Sequence, residues 1–404
     1  MKFFLVDDEE TIIKATTILL EGAGHDVTGF TSSIQAMEMI KAGQPDCLIV
    51  DIMMPEMDGL ELCRKVKSAP DTAHIRVIVL SAKTYEFDRS RAQEMGAEGY
   101  LTKPIKLDTF VAELDGLLGN SLTATFWGVR GTLPVPGESS LRYGGHTSCV
   151  TVQCGNSPLM IFDAGSGIKA LSDHMMGMNE RITAKIFISH PHWDHINALP
   201  FFVPLYIPGN EFEILGARHG DTTMRELMSA QMDGIYFPIT IREFGARVFF
   251  RDLGEETIEF DDIKVQTMLL SHPGNCLGYR IDYQGKSICY ITDNEMFNAG
   301  EPGHNPGYIQ RLADFCRGAD ALITDTTYTD AQYPAKAGWG HSSVGQVAEL
   351  AARAEVDTLY LFHHDPDQND DAIDAKLDEM KMALSMLGSD VKCLAPGEGD
   401  QIKH

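Results

Sequence analysis

The sequence predicts an α/β chain in two parts: an N-terminal, doubly wound, five-stranded parallel sheet and a C-terminal αββα sandwich. Three observations predict it. At 404 residues the chain is too long for one typical domain and suits two or three. Its first 119 residues alternate short apolar runs with amphipathic stretches, as strands alternating with helices require. From residue 122 onward many short strand-like runs crowd together, with fewer helical patterns between them.

Composition narrows the function classes. Hydrophobic residues make up 44% and charged residues 23%, ordinary values for a globular chain. No apolar run approaches the roughly 20 residues a membrane helix needs, and Met1-Lys2-Phe3-Phe4-Leu5-Val6-Asp7-Asp8 turns acidic too soon for a signal peptide. A cytoplasmic protein with no membrane partner is expected. The eight cysteines are scattered with no Cys-x-x-Cys pair, which reads as reduced, buried thiols. A formal net charge of −25 repels polyanions, so general nucleic-acid binding is disfavoured.

In the first segment, residues 1–119, strands are expected at 3–6, 27–30, 47–50, 77–80 and 99–101. Helices are expected near 10–21, 33–42, 58–68, 87–95 and 107–118. In such a sheet the functional groups gather at the strand C-termini. Asp7 and Asp8 end the first strand, Asp51 the third and Ser81 the fourth; Lys103 follows the fifth. Three carboxylates together repel unless a hard cation such as Mg²⁺ sits among them. Lys103 and the Ser81 hydroxyl would then stabilise a phosphoryl group arriving on Asp51. This set, with Asp51-Ile52-Met53-Met54-Pro55-Glu56-Met57-Asp58-Gly59 and Thr102-Lys103-Pro104, resembles the receiver domain of two-component response regulators. The resemblance implies that Asp51 accepts phosphate from a sensor histidine kinase. It also implies that Asp7, Asp8 and Asp51 hold magnesium, that Tyr100 is the aromatic switch residue, and that the chain can pair as a homodimer.

Gly116-Leu117-Leu118-Gly119-Asn120-Ser121 supplies stop and turn signals, with no long linker, and a second domain is expected over residues 122–404. Strands are expected there at 123–127, 149–154, 159–162, 185–189, 213–215, 264–270, 278–283, 287–291, 321–325 and 358–362. Helices are expected near 308–315, 343–354 and 371–387. No helix-turn-helix candidate follows the first segment, which argues against a transcription factor.

The chemistry concentrates where the strand ending at Ser189 runs into His190-Pro191-His192-Trp193-Asp194-His195. His190 and His192 can reach one cation, while Asp194 and His195 reach a second beside it. Imidazole and carboxylate are the ligands that hold zinc, iron or manganese in hydrolytic sites. Further ligands are sought at strand ends. Met268-Leu269-Leu270-Ser271-His272 offers His272, and Cys289-Tyr290-Ile291-Thr292-Asp293 offers Asp293 as a carboxylate bridging two ions about 3.5–4 Å apart. Adjacent side chains of an extended segment face opposite ways, so one of His363 and His364 should serve. The His-x-His-x-Asp-His pattern resembles the metallo-β-lactamase superfamily. That resemblance implies the αββα sandwich with its metal site at one edge between the sheets. It also favours His363, because the strand runs directly into that ligand, and casts Asp163 as an acid that orients the first-motif ligands.

Phe126-Trp127-Gly128-Val129-Arg130-Gly131, Gly144-Gly145-His146-Thr147-Ser148-Cys149, Gly278-Tyr279-Arg280, Asp325-Thr326-Thr327-Tyr328 and Gly340-His341-Ser342-Ser343 resemble the phosphodiesterase and ribonuclease Z-like branch. By that resemblance His341 stabilises the transition state or protonates the leaving oxygen. No basic, Gly-rich arm of the kind tRNA-processing members use is evident. Tyr236-Phe237-Pro238 is instead expected to line or lid the pocket. The expectation is a phosphodiesterase with two divalent transition-metal ions (Zn, Mn or Fe), regulated through Asp51, with catalytic roles for Asp194 and His341. A small phosphodiester, a cyclic nucleotide first, is the expected substrate. Hydrolysis of an ester, thioester or lactam, ribonuclease Z-like RNA processing, and a binding module without turnover are the competing readings.

Overall fold

The computed structural model describes the whole chain except Thr84, Tyr85, Asn120, Asn156, Asn179, Tyr236 and the side chain of Glu86. Asn120 of the expected connection and Tyr236 of the expected lid therefore lie outside the described residues. The chain divides into two compact units, Met1–Ser121 and Leu122–His404.

In the first unit five parallel strands lie in the order Asp26–Phe30, Lys2–Val6, Cys47–Val50, Arg76–Ser81, Gly99–Thr102. The central strand Cys47–Val50 is buried along its whole length, as a sheet covered on both faces demands. One face packs Phe4, Val6, Leu48 and Val79 with Leu60, Cys63 and Val66, which lie on the helix Gly59–Ser68. The other packs Phe3, Leu5, Ile49 and Leu80 with Phe110 and Leu114. The last helix begins at Phe110 rather than at the expected 107, because Leu107 is exposed and adds nothing to the apolar face.

The second unit holds two seven-stranded sheets. The first runs Arg247–Leu253, Glu211–Ala217, Thr183–Ile188, Leu159–Phe162, Cys149–Cys154, Leu122–Gly128, Gln401–Lys403. The second runs Thr257–Phe260, Ile263–Leu269, Leu277–Tyr283, Lys286–Ile291, Ala321–Asp325, Thr358–Phe362, Lys392–Leu394. Phe126, Phe162, Phe187, Tyr279, Tyr290 and Phe362 fill the space between the sheets. The rings of Phe162 and Phe187 stack with centroids 5.1 Å apart. Helix Ile168–Gly177 and helix Met224–Gln231 cover the first sheet. Helices Pro306–Cys316, Val344–Ala354 and Asp370–Met386 cover the second. The four layers are the predicted αββα sandwich.

Local chemistry sets the helix starts. Thr223 and Glu226, and Ser343 and Gln346, form reciprocal capping boxes, and Pro306 occupies a first-turn position where its missing N–H costs nothing. Residues 216–231 hold no arm of the kind sought above: they form a strand end, a turn and the capped helix Met224–Gln231. Short strands at Lys392–Leu394 and Gln401–Lys403 escaped the sequence reading, since three residues carry too little periodicity to register.

Candidate metal centre

The strands of the sandwich deliver their terminal residues to one place. His190 follows Thr183–Ile188, Asp293 follows Lys286–Ile291, His363 follows Thr358–Phe362, and Asp163 follows Leu159–Phe162. His192 caps the short helix Trp193–Ile196 that carries Asp194 and His195. His272 lies in the turn after Ile263–Leu269.

Two donor clusters meet at Asp293, and a third group, Asp325, His341 and His363, shares His363 with the second. His190, His192, His272 and Asp293 form one; Asp194, His195, Asp293 and His363 form the other, with the ligand atoms of each within 4.8 Å of one another. In the first, His192 Nδ1 lies 2.8 Å from His190 Nε2 and 3.1 Å from His272 Nε2. Asp293 Oδ2 stands 3.5 Å from His190 Nε2 and 3.7 Å from His272 Nε2. In the second, Asp293 Oδ1 is 3.1 Å from His195 Nε2 and 3.0 Å from His363 Nε2, and Asp194 Oδ2 is 3.2 Å from both nitrogens. The two oxygens of one carboxylate thus serve two sets of imidazoles.

Outer hydrogen bonds fix the ring tautomers. Asp163 accepts from Ser189 N at 2.7 Å, Ser189 Oγ at 2.9 Å, Tyr290 Oη at 2.8 Å and His195 Nδ1 at 2.8 Å. His272 Nδ1 donates to the Gly340 carbonyl at 2.8 Å. In the neutral form both rings would then direct the lone pair of Nε2 inward, the state a cation ligand needs. The donor set fits divalent cations on its own chemistry. Lone pairs of five imidazoles and two carboxylates converge on two points, one buried and one open to solvent at His192, with too few protons among them to satisfy each contact as a hydrogen bond.

Electrostatics follow from burial and these neighbours. Burial, reinforced by adjacent imidazoles, holds His190 and His192 below the ordinary histidine range; His272 is also lowered, chiefly by burial. Burial opposes charge on Asp293 too, but His363, His195 and His190 outweigh it and keep the carboxylate ionised. Backbone strain collects here as well. Asp163, Asp293, His363 and Thr132 adopt φ values of 62°, 30°, 57° and 63°, at a cost of about 1–3 kcal/mol each that the surrounding contacts must offset.

His363 rather than His364 enters the cluster, though not through strand alternation. Its left-handed backbone ends the extended run, while the buried ring of His364 has no hydrogen-bond partner among the described residues for either nitrogen. Gly131 makes room for His363, since a Cβ there would stand 2.2 Å from its ring. His341 lies beside both clusters, its centroid 5.0 Å from His363 and 5.5 Å from His272.

Two contributors escaped the sequence reading, and a third, Asp325, entered it only as part of the Asp325–Tyr328 motif, with no role assigned. Thr132 N donates to Asp194 Oδ2 at 2.7 Å. Asp325 orients His341, and its oxygens also accept from Asn294 N, Thr327 N and Thr327 Oγ1. Buried Glu295 accepts from Tyr333 Oη, Gly338 N and Gly340 N, and so holds the loop that carries both the Gly340 carbonyl and His341. The only sequence signals were Asp325 at a strand end and Glu295 two residues beyond Asp293.

In the first unit, Lys103 Nζ lies 2.7 Å from Asp7 Oδ2 and 3.3 Å from Asp51 Oδ1. Asp7 and Asp51 are buried and Asp8 is exposed at the same strand ends. Burial raises the Asp7 carboxyl against the pull of Lys103. Ser81 Oγ accepts from Lys83 N at 3.3 Å, and Tyr100 Oη donates to the Lys83 carbonyl at 2.8 Å.

An αββα sandwich with paired His/Asp clusters, joined to a five-stranded sheet with an acidic pocket, defines a response-regulator receiver fused to a metallo-β-lactamase-fold domain. The chain belongs to the β-lactamase superfamily, whose domain model matches residues 161–364, and the response regulator receiver model matches residues 3–115. The response regulator MprA of Mycobacterium avium is 33% identical over 118 residues, 29% of this chain and 51% of that protein. The chain thus spans about half the length of that relative. The polar-differentiation response regulator DivK of Brucella ovis is 30% identical over 117 residues, 29% of this chain and 95% of that protein. The metallo-beta-lactamase fold protein YhfI of Bacillus subtilis shares the fold, with a TM-score of 0.51 at 15% identity over 70% of this chain and all of that one.

Proposed function

We propose that the second unit is a phosphodiesterase acting through two divalent transition-metal ions, with Asp51 of the receiver as its regulatory phosphoacceptor. The observation that carries this reading is the division of Asp293, one oxygen toward each imidazole set. His190, His192 and His272 would hold one ion, Asp194, His195 and His363 the other, with Asp293 between them. Zinc, manganese and iron all suit such nitrogen and oxygen donors. Ions bound there would supply Lewis acidity and positive charge toward a phosphoryl group.

The chain's own residues do the rest. Asp163 and the Gly340 carbonyl keep two ligand rings in register, and Thr132 N anchors Asp194. Burial opposes a proton on His341, but Asp325 at 2.8 Å from Nδ1 outweighs it, and the imidazolium is held up to about 9. With Nδ1 committed to Asp325, the Nε2 proton is the one available to the departing alkoxide oxygen, so P–O cleavage releases a neutral alcohol. Sharing one chain with a receiver favours a small signalling diester, a cyclic nucleotide first, over bulk RNA, in keeping with the −25 charge. In the receiver, Asp7, Asp8 and Asp51 would hold Mg²⁺, Ser81, Tyr100 and Lys103 would read the phosphoryl group, and a sensor histidine kinase would supply it.

The test is a panel of phosphodiester, lactone, thioester and lactam substrates with Mn²⁺ or Zn²⁺, with and without beryllofluoride on Asp51. Selective phosphodiester turnover that changes with beryllofluoride is expected. Preference for an acyl substrate overturns the reaction class, and identical kinetics in both states remove the regulatory half.

A further inference from the structure

Two indoles beside this centre are largely exposed. Trp193 lies between His192 and Asp194 and is 81% exposed; Trp339 directly precedes Gly340 and His341 and is 60% exposed. Both leave the backbone one residue from a group that touches His272. His192 Nδ1 lies 3.1 Å from His272 Nε2, and the Gly340 carbonyl lies 2.8 Å from His272 Nδ1. Each is thus the next residue in the chain to a group that contacts His272.

The third tryptophan shows what a structural indole looks like. Trp127 is half-buried, and its Nε1 donates to Thr151 Oγ1 at 2.9 Å. Among the described residues neither rim indole Nε1 has a hydrogen-bond partner, and Lys336 Nζ lies 4.1 Å from the Trp339 ring centroid. Exposing so large an apolar ring forgoes burial that a globular chain normally takes, unless a ligand supplies it. The neighbouring charge says which ligand. In a chain of net charge −25, the Lys336 ammonium over the Trp339 ring marks this spot as locally cationic and suited to an anion.

We propose that Trp193 and Trp339 form a stacking subsite for the nucleobase of a phosphodiester whose phosphate sits at the metal centre. This deepens the phosphodiesterase reading and rests on it for the position of the phosphate. Base-on-indole stacking is indifferent to sequence, so the subsite selects for a planar base rather than for one base over another. Lys336 braces the Trp339 ring from one face and adds positive charge beside the incoming phosphate.

The experiment compares kcat/KM for 2′,3′-cyclic AMP with that for glycerol 1,2-cyclic phosphate, a cyclic diester without a base. Trp193→Ala and Trp339→Ala should each lower the preference for the base-bearing diester by about 5- to 100-fold, through KM. Trp→Phe at either position should retain most of it. A ratio unmoved in one alanine variant removes that tryptophan from the subsite, and a ratio unmoved in both overturns the proposal. Should the wild type cleave neither diester, the phosphodiesterase reading fails, and equilibrium dialysis with AMP decides the subsite alone. Saturable binding weakened at least five-fold by both alanine variants supports it; absent binding, or binding equal in all three proteins, overturns it.

Discussion

Nδ1 of His341 lies 2.8 Å from Oδ2 of Asp325, and this one contact decides which proton the ring can give away. Because the carboxylate holds the imidazolium up to about 9, His341 is a charged acid at neutral pH and loses that form as pH rises through 9. kcat for a phosphodiester should therefore fall on the alkaline side near that value. Asp325→Asn removes the opposing charge while burial remains, so the limb should move to lower pH. His341→Ala should lower kcat by about 10²–10³-fold with bound metal unchanged. A pH–rate profile of the three proteins checks this; a limb that stays put in Asp325→Asn contradicts it.

Gly340 has a φ of 90°, and a Cβ there would stand 2.3 Å from His272 Nδ1. Gly340→Ala should cost about 1–3 kcal/mol of stability from the strained backbone and the forced shift. It should also weaken metal binding, because the carbonyl that fixes the His272 tautomer moves with it. Isothermal titration with Zn²⁺ checks the second effect. Unchanged affinity would mean that the Gly340–His272 bond does not set the ligand's state.

Lys376 is fully buried, with Nζ 2.6 Å from the Thr326 carbonyl and 2.7 Å from Gln368 Oε1. Burial pushes its ammonium down to about 7, against the pull of Asp325 and Asp365. An unfolded lysine keeps its proton up to about 10.4, so between these values the unfolded chain binds more protons than the folded one. Stability should rise with pH across this window, by up to about 1.4 kcal/mol per unit from this group, and the gain should be lost as pH falls to 7. Denaturant titrations at pH 7, 8, 9 and 10 should show a flatter dependence for Lys376→Met than for wild type. Parallel curves would refute the depressed value.

In the receiver, Lys103 bridges Asp7 and Asp51. Asp51→Asn should take up no phosphate from acetyl phosphate, while wild type does so in a Mg²⁺-dependent way. Mass spectrometry of the intact chain reads the difference. Label retained in the variant would place the phosphoacceptor elsewhere.

Much of this fold was legible because its strands are short, apolar and end in chemistry. The runs at Cys47–Val50, Leu159–Phe162 and Thr358–Phe362 carry their own boundaries. The layered architecture followed from their alternation with helices. Most candidate ligands were legible for the same reason, standing at or just beyond a strand end; Asp194 and His195, on the short helix Trp193–Ile196, were legible from the motif spacing instead. Alternation predicts that one of His363 and His364 serves, and His363 does join the cluster, but through a left-handed residue that is not extended. What escaped was the supporting shell. Glu295 and the Thr132 amide act through bonds to loops remote in sequence, and no local pattern announces a carboxylate that accepts from Gly338 and Gly340, more than 40 positions away.

The account turns on Asp293 serving two cations at once. The direct measurement is the transition-metal content of the full chain after desalting, by inductively coupled plasma mass spectrometry, for wild type and Asp293→Ala. Two equivalents in the wild type, with loss from both sites in the variant, are expected. A wild type without tightly held metal, or a variant that keeps both equivalents, contradicts it.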